Sequence, residues 1–198
     1  MNIAIIGATG KFGRLFTAKL LANPNYQLTL ISKTARNIYE DNHRITAMSI
    51  DATNQKDLKK ALEGQDLVYC AVSGSDQVAI ARNLAELKPK RVIYMTVVGI
   101  YNELDGENGS EYNLDNEKEQ IPNRNAADII ESSDLDYTIF RCGYLISGDE
   151  KEYEITKKGE TPKGYISNME SVEKVALEII EDTNKYSRES ISITKDMS

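Results

Sequence analysis

The sequence has no tryptophan, one histidine (His43) and only two cysteines, Cys70 and Cys142. A single histidine without any Cys-x-x-Cys leaves no ligand set for a metal site. Two cysteines, each in or beside an apolar run, do not make a disulfide framework and read as buried reduced thiols. Positive charge is also short. The 24 Lys and Arg against 31 Asp and Glu give a net charge of −7, with no dense basic block, so no nucleic-acid partner is expected. The longest apolar runs are strand-length, too short to span a membrane, so no membrane partner is expected either. The opening Met1-Asn2-Ile3-Ala4-Ile5-Ile6-Gly7 has neither a basic leader nor a cleavage site, which predicts a cytoplasmic chain.

What is present is a core. Of 198 residues, 40% are hydrophobic, enough for one folded domain and too few for two. Apolar runs alternate with segments of helical period. The pattern predicts strands over 2–6, 27–31, 45–50, 66–72, 91–98, 137–141, 152–156 and 190–194. It predicts helices over 11–22, 55–62, 75–87, 124–132 and 172–180, the last behind a capping box at Ser167-Asn168-Met169-Glu170. Such alternation implies a doubly wound, mainly parallel α/β sheet in a single domain, residues 1–198. The stretch from about 140 to 198 is expected to complete a substrate cleft. Residues 102–119 break the pattern with seven acidic residues and one lysine, and read as a solvated excursion or a mobile flap.

Gly7, Gly10 and Gly13 follow the first strand and open the first helix, the context that gives a glycine triple its meaning. Gly7 suits a tight turn, Gly10 lets a pyrophosphate approach the backbone, and Gly13 lets helix and sheet pack closely. The bland alternative is a plain turn. The second strand runs into Ile31-Ser32-Lys33-Thr34-Ala35-Arg36 without a carboxylate. An acidic residue there would accept from both ribose hydroxyls. Lys33 and Arg36, with Ser32 and Thr34 as donors, favour a 2′-phosphate instead, hence NADP(H) over NAD(H). The alternative is that Lys33 and Arg36 are ordinary solvated charges. Asp51-Ala52 follows the third strand and suits either the adenine amino group or the capping of a helix starting near Asn54. Ala71-Val72-Ser73-Gly74 ends the fourth strand with small residues, leaving room for a ribose or making a simple turn.

Four stretches together resemble the atypical, NmrA-like branch of the short-chain dehydrogenase/reductase superfamily: Gly7-Ala8-Thr9-Gly10-Lys11-Phe12-Gly13, Ile50-Asp51-Ala52-Thr53, Thr96-Val97-Val98-Gly99-Ile100-Tyr101 and Asp136-Tyr137-Thr138-Ile139-Phe140-Arg141. Cys142 stands where that branch usually has proline. The resemblance implies a Rossmann fold, a bound NAD(P), and either oxidoreductase activity or cofactor sensing. It places Thr9, Gly10, Lys11 and Phe12 along the pyrophosphate and Lys33 at the 2′-phosphate. It sets Asp51 and Ala52 by the adenine, and Ala71, Val72 and Ser73 by the ribose. Thr96 and the Cys142-Gly143 backbone fall beside the nicotinamide.

Reduction of a carbonyl leaves an alkoxide that needs a proton, and most members of the superfamily supply it from a Tyr-x-x-x-Lys pair. Here the corresponding region, residues 116–125, holds Lys118 and Arg124 but no tyrosine. Of the hydroxyl pair usual after the fifth strand, only Thr96 remains, followed by Val97. Thr96 and Arg124 are therefore the catalytic candidates, with Tyr101, Tyr112 and Tyr144 behind them. Arg141 reads as a structural ion-pair partner and His43 as surface. The leading expectation is NADP(H)-dependent reduction of a small quinone-like, flavin or carbonyl acceptor by a monomer or homodimer. A non-catalytic redox sensor is the alternative, and a nucleotide-sugar epimerase or dehydratase comes third.

Overall fold

The computed structural model describes residues 1–106, 109–149 and 152–195. Eight strands form one sheet: β1 (Asn2–Ile6), β2 (Gln27–Ser32), β3 (Ile45–Ser49), β4 (Leu67–Cys70), β5 (Val92–Val97), β6 (Tyr137–Cys142), β8 (Glu154–Lys157) and β10 (Glu189–Thr194). Their spatial order is β3-β2-β1-β4-β5-β6-β10-β8, parallel throughout except for β8, which runs antiparallel to β10 at the edge. Two three-residue strands, β7 (Tyr144–Ile146) and β9 (Ile166–Asn168), pair in parallel as a separate sheet. Five helices complete the chain: α1 (Lys11–Leu21), α2 (Gln55–Leu62), α3 (Gln77–Leu87), α4 (Ile121–Glu131) and α5 (Met169–Glu181).

The strands are apolar on both faces because helices cover both. Along β1, Ile3 and Ile5 face one layer while Ala4 and Ile6 face the other. Phe16 and Leu20 of α1 join Val172, Ala176 and Ile179 of α5 on the first side. Leu58 of α2, Ile80 and Leu84 of α3, and Ala126 and Ile130 of α4 cover the second. Phe16 and Tyr69 lie with ring centroids 4.3 Å apart, and burying each such side chain contributes about 2–3 kcal/mol. Cys70 and Cys142 are free and buried, and burial pushes the Cys70 thiol up to about 12.

The sequence pattern missed β7 and β9, too short to show a period, and β9 takes over the ground expected for a capping box. Ser167 is a strand residue whose hydroxyl donates to Ile193 O at 2.6 Å and accepts from Gly143 N–H at 2.8 Å. Asn168 is the cap instead, its Oδ1 accepting from Ser171 N–H at 3.0 Å. Helix α4 starts three residues earlier than the period suggests, because Pro122 sits in its first turn, where the missing N–H costs nothing. Most described residues of 102–119 are exposed, as expected of a solvated excursion, but the segment is tied down onto the fold. Leu104 is buried with both backbone groups held by the Asn113 side chain, at 3.0 and 2.8 Å, and Leu114 N–H returns to Gly99 O at 2.9 Å. Residues 107 and 108 of that stretch lie outside the described chain.

Candidate cofactor site

The sheet order turns back at β1: β2 lies on one side of it and β4 on the other. In open α/β sheets the crevice at the carboxyl ends of the strands beside such a reversal is where ligands bind. Gly7 occupies it. Gly7 and Ala8 N–H both donate to Ile31 O of β2, at 2.9 and 3.1 Å, which folds the chain out of β1. Gly7 has φ +86, and a Cβ there would stand 2.9 Å from Ala71 O. Gly13 is more constrained, since its Cβ would collide with Gly7 O and come within 2.7 Å of Ala8 Cα. The turn is therefore closed by backbone against backbone. The first bond into the helix is Arg14 N–H to Gly10 O at 2.9 Å. The N–H groups of Lys11, Phe12 and Gly13 precede it, and with the helix dipole they form an anion-binding end. Thr9 and Phe12 are half-buried there, while Gly10 and Lys11 are exposed. These residues fit a dinucleotide's pyrophosphate.

On the β2–β3 side, Lys33 Nζ lies 2.9 Å from Asp76 Oδ2 and 3.2 Å from Asp51 Oδ2. Its pKa is raised, first by the bond to Asp76 and then by Asp51. Asp51 is lowered, chiefly because Oδ1 accepts from Thr53 Oγ1 and N–H, at 2.7 and 2.9 Å. Asn54, not Asp51, caps α2, accepting from the N–H groups of Lys56 and Asp57. Ala52 is buried, its carbonyl held by Asn83 Nδ2 at 3.0 Å. Arg36 turns its guanidinium toward β3, Nε donating to Ala47 O at 3.0 Å. Ser32 Oγ accepts from Thr34 N–H at 3.2 Å. Ala71 and Val72 are half-buried and Ser73 is exposed, at the end of β4 beside Gly7.

On the β5–β6 side the candidate groups are engaged internally. Thr96 is buried and its hydroxyl donates to Phe140 O at 3.1 Å. Cys142 is buried, its thiol pushed up by burial and its carbonyl taken by Val98 N–H at 2.9 Å. Arg124 forks onto Asp128, donates to Ile100 O at 3.2 Å, and lies 5.1 Å from the Tyr101 ring centroid. Tyr101 OH donates to Glu131 Oε1 at 2.9 Å, and burial raises its pKa. Arg141, fully buried, pairs with Glu103 at 2.6 Å. The same Glu103 carboxylate accepts from Gly99 and Tyr101 N–H, so it pins the turn after β5. Of the proton-donor candidates, Thr96, Tyr101 and Arg124 are thus engaged, while Tyr112 and Tyr144 are exposed.

Aromatic surface does stand there. Tyr112 O packs against Gly99 after β5, and Tyr165 O against Gly143 after β6. These contacts bring the two rings together with centroids 4.9 Å apart. Tyr144 beside them is 69% exposed.

The sequence pattern did not single out Asp76, Glu103, Glu173 or the Tyr112–Tyr165 pair. For Glu173 a signal existed: it falls at i+4 from Met169 and i−3 from Ala176, on the buried stripe of α5, and is itself fully buried. For the tyrosines none did, since 53 residues separate them.

A family model described as NAD(P)H-binding matches residues 7–183, from the first glycine of the turn to just past α5. The chain belongs to that family. Proteins of known structure resemble it along nearly its whole length. A Rossmann-fold NAD(P)-binding family protein from Shigella flexneri is 30% identical, with TM-score 0.83, covering 100% of this chain and 94% of that one. A short-chain dehydrogenase/reductase from Veillonella parvula, solved in complex with NADP, is 26% identical, with TM-score 0.85, covering 98% and 94%. An anaerobillin reductase from Escherichia coli O157:H7 is 15% identical, with TM-score 0.79, covering 100% and 98%, a likeness of fold alone. No curated protein matches significantly. The NAD(P)H-binding family membership and these structures place the chain in the atypical branch of the short-chain dehydrogenase/reductase superfamily, with an oxidoreductase-like fold. No helix among the described residues is long and apolar enough to cross a membrane.

Proposed function

We propose that this protein is an NADP(H)-dependent reductase of a small, flat, conjugated acceptor such as a quinone or flavin. The observation that carries the reading is the turn at Gly7–Gly13, closed backbone to backbone, which leaves the α1 amides for a pyrophosphate. Thr9, Gly10, Lys11 and Phe12 would hold it. Lys33, the cation beyond β2, supports a 2′-phosphate, with Ser32 before it at the strand end and Arg36 further along the same loop, its Nε on Ala47 O. Asp51 and Ala52 would flank the adenine, and Ala71, Val72 and Ser73 the ribose. A bound reduced nicotinamide supplies a hydride equivalent. Thr96, Tyr101 and Arg124 supply position rather than protons, because they are bonded elsewhere in the chain, which leaves water or the exposed Tyr112 and Tyr144 as proton sources. An acceptor that takes its proton from water suits such a site better than an isolated carbonyl. The tilted Tyr112–Tyr165 pair, over the ends of β5 and β6, offers a flat ring an apolar face.

The same engagement of Thr96, Tyr101 and Arg124 favours one rival, a dinucleotide sensor without turnover. Incubating the protein with NADPH and a panel of quinones, flavins and aldehydes separates the two. Loss of absorbance at 340 nm with quinones or flavins, and little with aldehydes, is the expected result. Tight coenzyme binding with no turnover across the panel would overturn the reductase and leave the sensor.

A further inference from the structure

Asp51 leaves the end of β3, and Asp76 the loop between β4 and α3. In the sheet, β2 and β1 lie between those two strands. At about 4.8 Å per strand, the two strand ends are roughly 14 Å apart. Lys33 Nζ nevertheless bonds both carboxylates, at 3.2 and 2.9 Å. The ammonium thus straps two loops together across the strand ends, next to the reversal at Gly7.

The two carboxylates are not equally fixed. Asp51 is anchored by both Thr53 bonds, inside a turn that Asn83 holds from α3. Asp76 makes no side-chain cap on α3, and among the described residues its carboxylate bonds only Lys33. It follows Ser73, Gly74 and Ser75, all exposed. A phosphate arriving at Lys33 would repel both carboxylates, and Asp76 is the one free to leave.

We propose that Asp76 is a specificity-determining residue of the dinucleotide site: it holds Lys33 in the free protein and competes with a 2′-phosphate for the same ammonium. The inference rests on the NADP(H) reading above. A ribose bearing two hydroxyls brings no anion to Lys33, so it has no need to displace Asp76 from the ammonium. Asp76 therefore weakens the phosphorylated coenzyme and leaves the other alone, which narrows the preference that Lys33 confers.

The test is calorimetric titration of wild type and Asp76→Asn with NADPH, NADH and adenosine 2′,5′-bisphosphate, which carries the 2′-phosphate without nicotinamide. Asp76→Asn is expected to tighten NADPH and the bisphosphate about five- to tenfold, with NADH unchanged within twofold. Lys33→Met in the same series should weaken NADPH and the bisphosphate and cancel the gain. If wild type binds NADPH and Asp76→Asn changes it by less than twofold, the competition is absent and the inference is wrong. A loss of NADH affinity with no gain for NADPH would make Asp76 a ribose acceptor and also refute it. Wild type silent toward every probe would bring down the coenzyme reading itself, and the inference with it.

Discussion

The two ends of the sheet's carboxyl edge are built on opposite plans. At the β1–β3 end the site is backbone: glycines, a helix N-terminus, and an exposed lysine held by two exposed carboxylates. At the β5–β6 end, side chains of the types that do chemistry are present but engaged within the fold: Arg141 with Glu103, the Tyr101 phenol with Glu131, and the Thr96 hydroxyl with Phe140 O. The first end can change partners at little cost, because its charges are solvated in either state. The second cannot, because each group there would leave a buried partner unpaired. A phosphate site can be made from the first plan. The second makes a rigid floor, and chemistry above that floor must draw on what is bound to it.

Breaking the floor should have the largest effect. Arg141 is fully buried and Glu103 nearly so, and removing one partner of such a pair costs about 3–5 kcal/mol. Arg141→Met is expected to lower the urea midpoint accordingly. The double variant Arg141→Met/Glu103→Gln should recover part of the loss, since no buried charge is then left alone. A double variant as unstable as the sum of the singles would mean the two do not act as a pair.

The phosphate end should break next, at Gly13. A Cβ there meets Gly7 O, which already accepts from Gly10 N–H in the turn, and Ala8 Cα. Gly13→Ala is expected to cost about 2–3 kcal/mol, and to weaken coenzyme binding more than tenfold because the α1 amides shift. Gly64→Ala, with nothing within 4 Å of its Cβ, is the control for backbone strain alone at φ +74. Thermal melts and coenzyme titrations of both variants provide the check. Equal coenzyme affinities in the two would remove the special role of the turn.

These two expectations mirror what the sequence could and could not show. The backbone end was legible because its requirements are written as residue types: three glycines at fixed spacing directly behind a buried strand, and no acid after the second strand. The fold was legible for the same reason, period 2 and period 3.6 alternating along the chain. The side-chain end was not. Thr96 and Arg124 have the right types in the right places, and only coordinates show the hydroxyl on Phe140 O and the guanidinium on Asp128 and Ile100 O. Residues 102–119 were legible as solvated from their acidic composition but not as anchored, because the tie is a single asparagine, Asn113, bonding the Leu104 backbone twice. Asp76 escaped because nothing local ties it to Lys33, 43 residues earlier.

A third expectation concerns the layer beneath the floor. Glu173 is fully buried, Oε1 accepting from Tyr69 OH at 2.9 Å and Oε2 without a hydrogen-bond partner. Burial raises its pKa well above the usual carboxylate range. In the unfolded chain this group ionises at about pH 4.3, while the folded protein keeps its proton. Folding therefore binds a proton above that pH, and stability falls as pH rises toward the folded pKa, by up to about 1.4 kcal/mol per pH unit. Glu173→Gln keeps the neutral shape and should flatten the decline. Urea midpoints at pH 5, 6.5 and 8 are expected to converge in the variant and to fall with pH in the wild type. Parallel curves would place the proton elsewhere.

The smallest expected effect decides most about the chemistry. If Thr96 supplied a proton, its loss would cost turnover the ~10²–10⁴-fold that a general acid contributes. In the structure its hydroxyl instead bridges β5 to the Phe140 carbonyl of β6 inside the buried floor. Thr96→Val removes that bond, leaves the carbonyl one partner short, and should lower stability by about 1 kcal/mol. Turnover with a quinone is expected to stay within about threefold, because an acceptor protonated by water does not need the hydroxyl. Running the same variant against an aldehyde sharpens the contrast. A hundredfold loss confined to the aldehyde would mean that the hydroxyl can leave Phe140 and act as a donor, and that the two ends of the edge are less different than their bonding suggests.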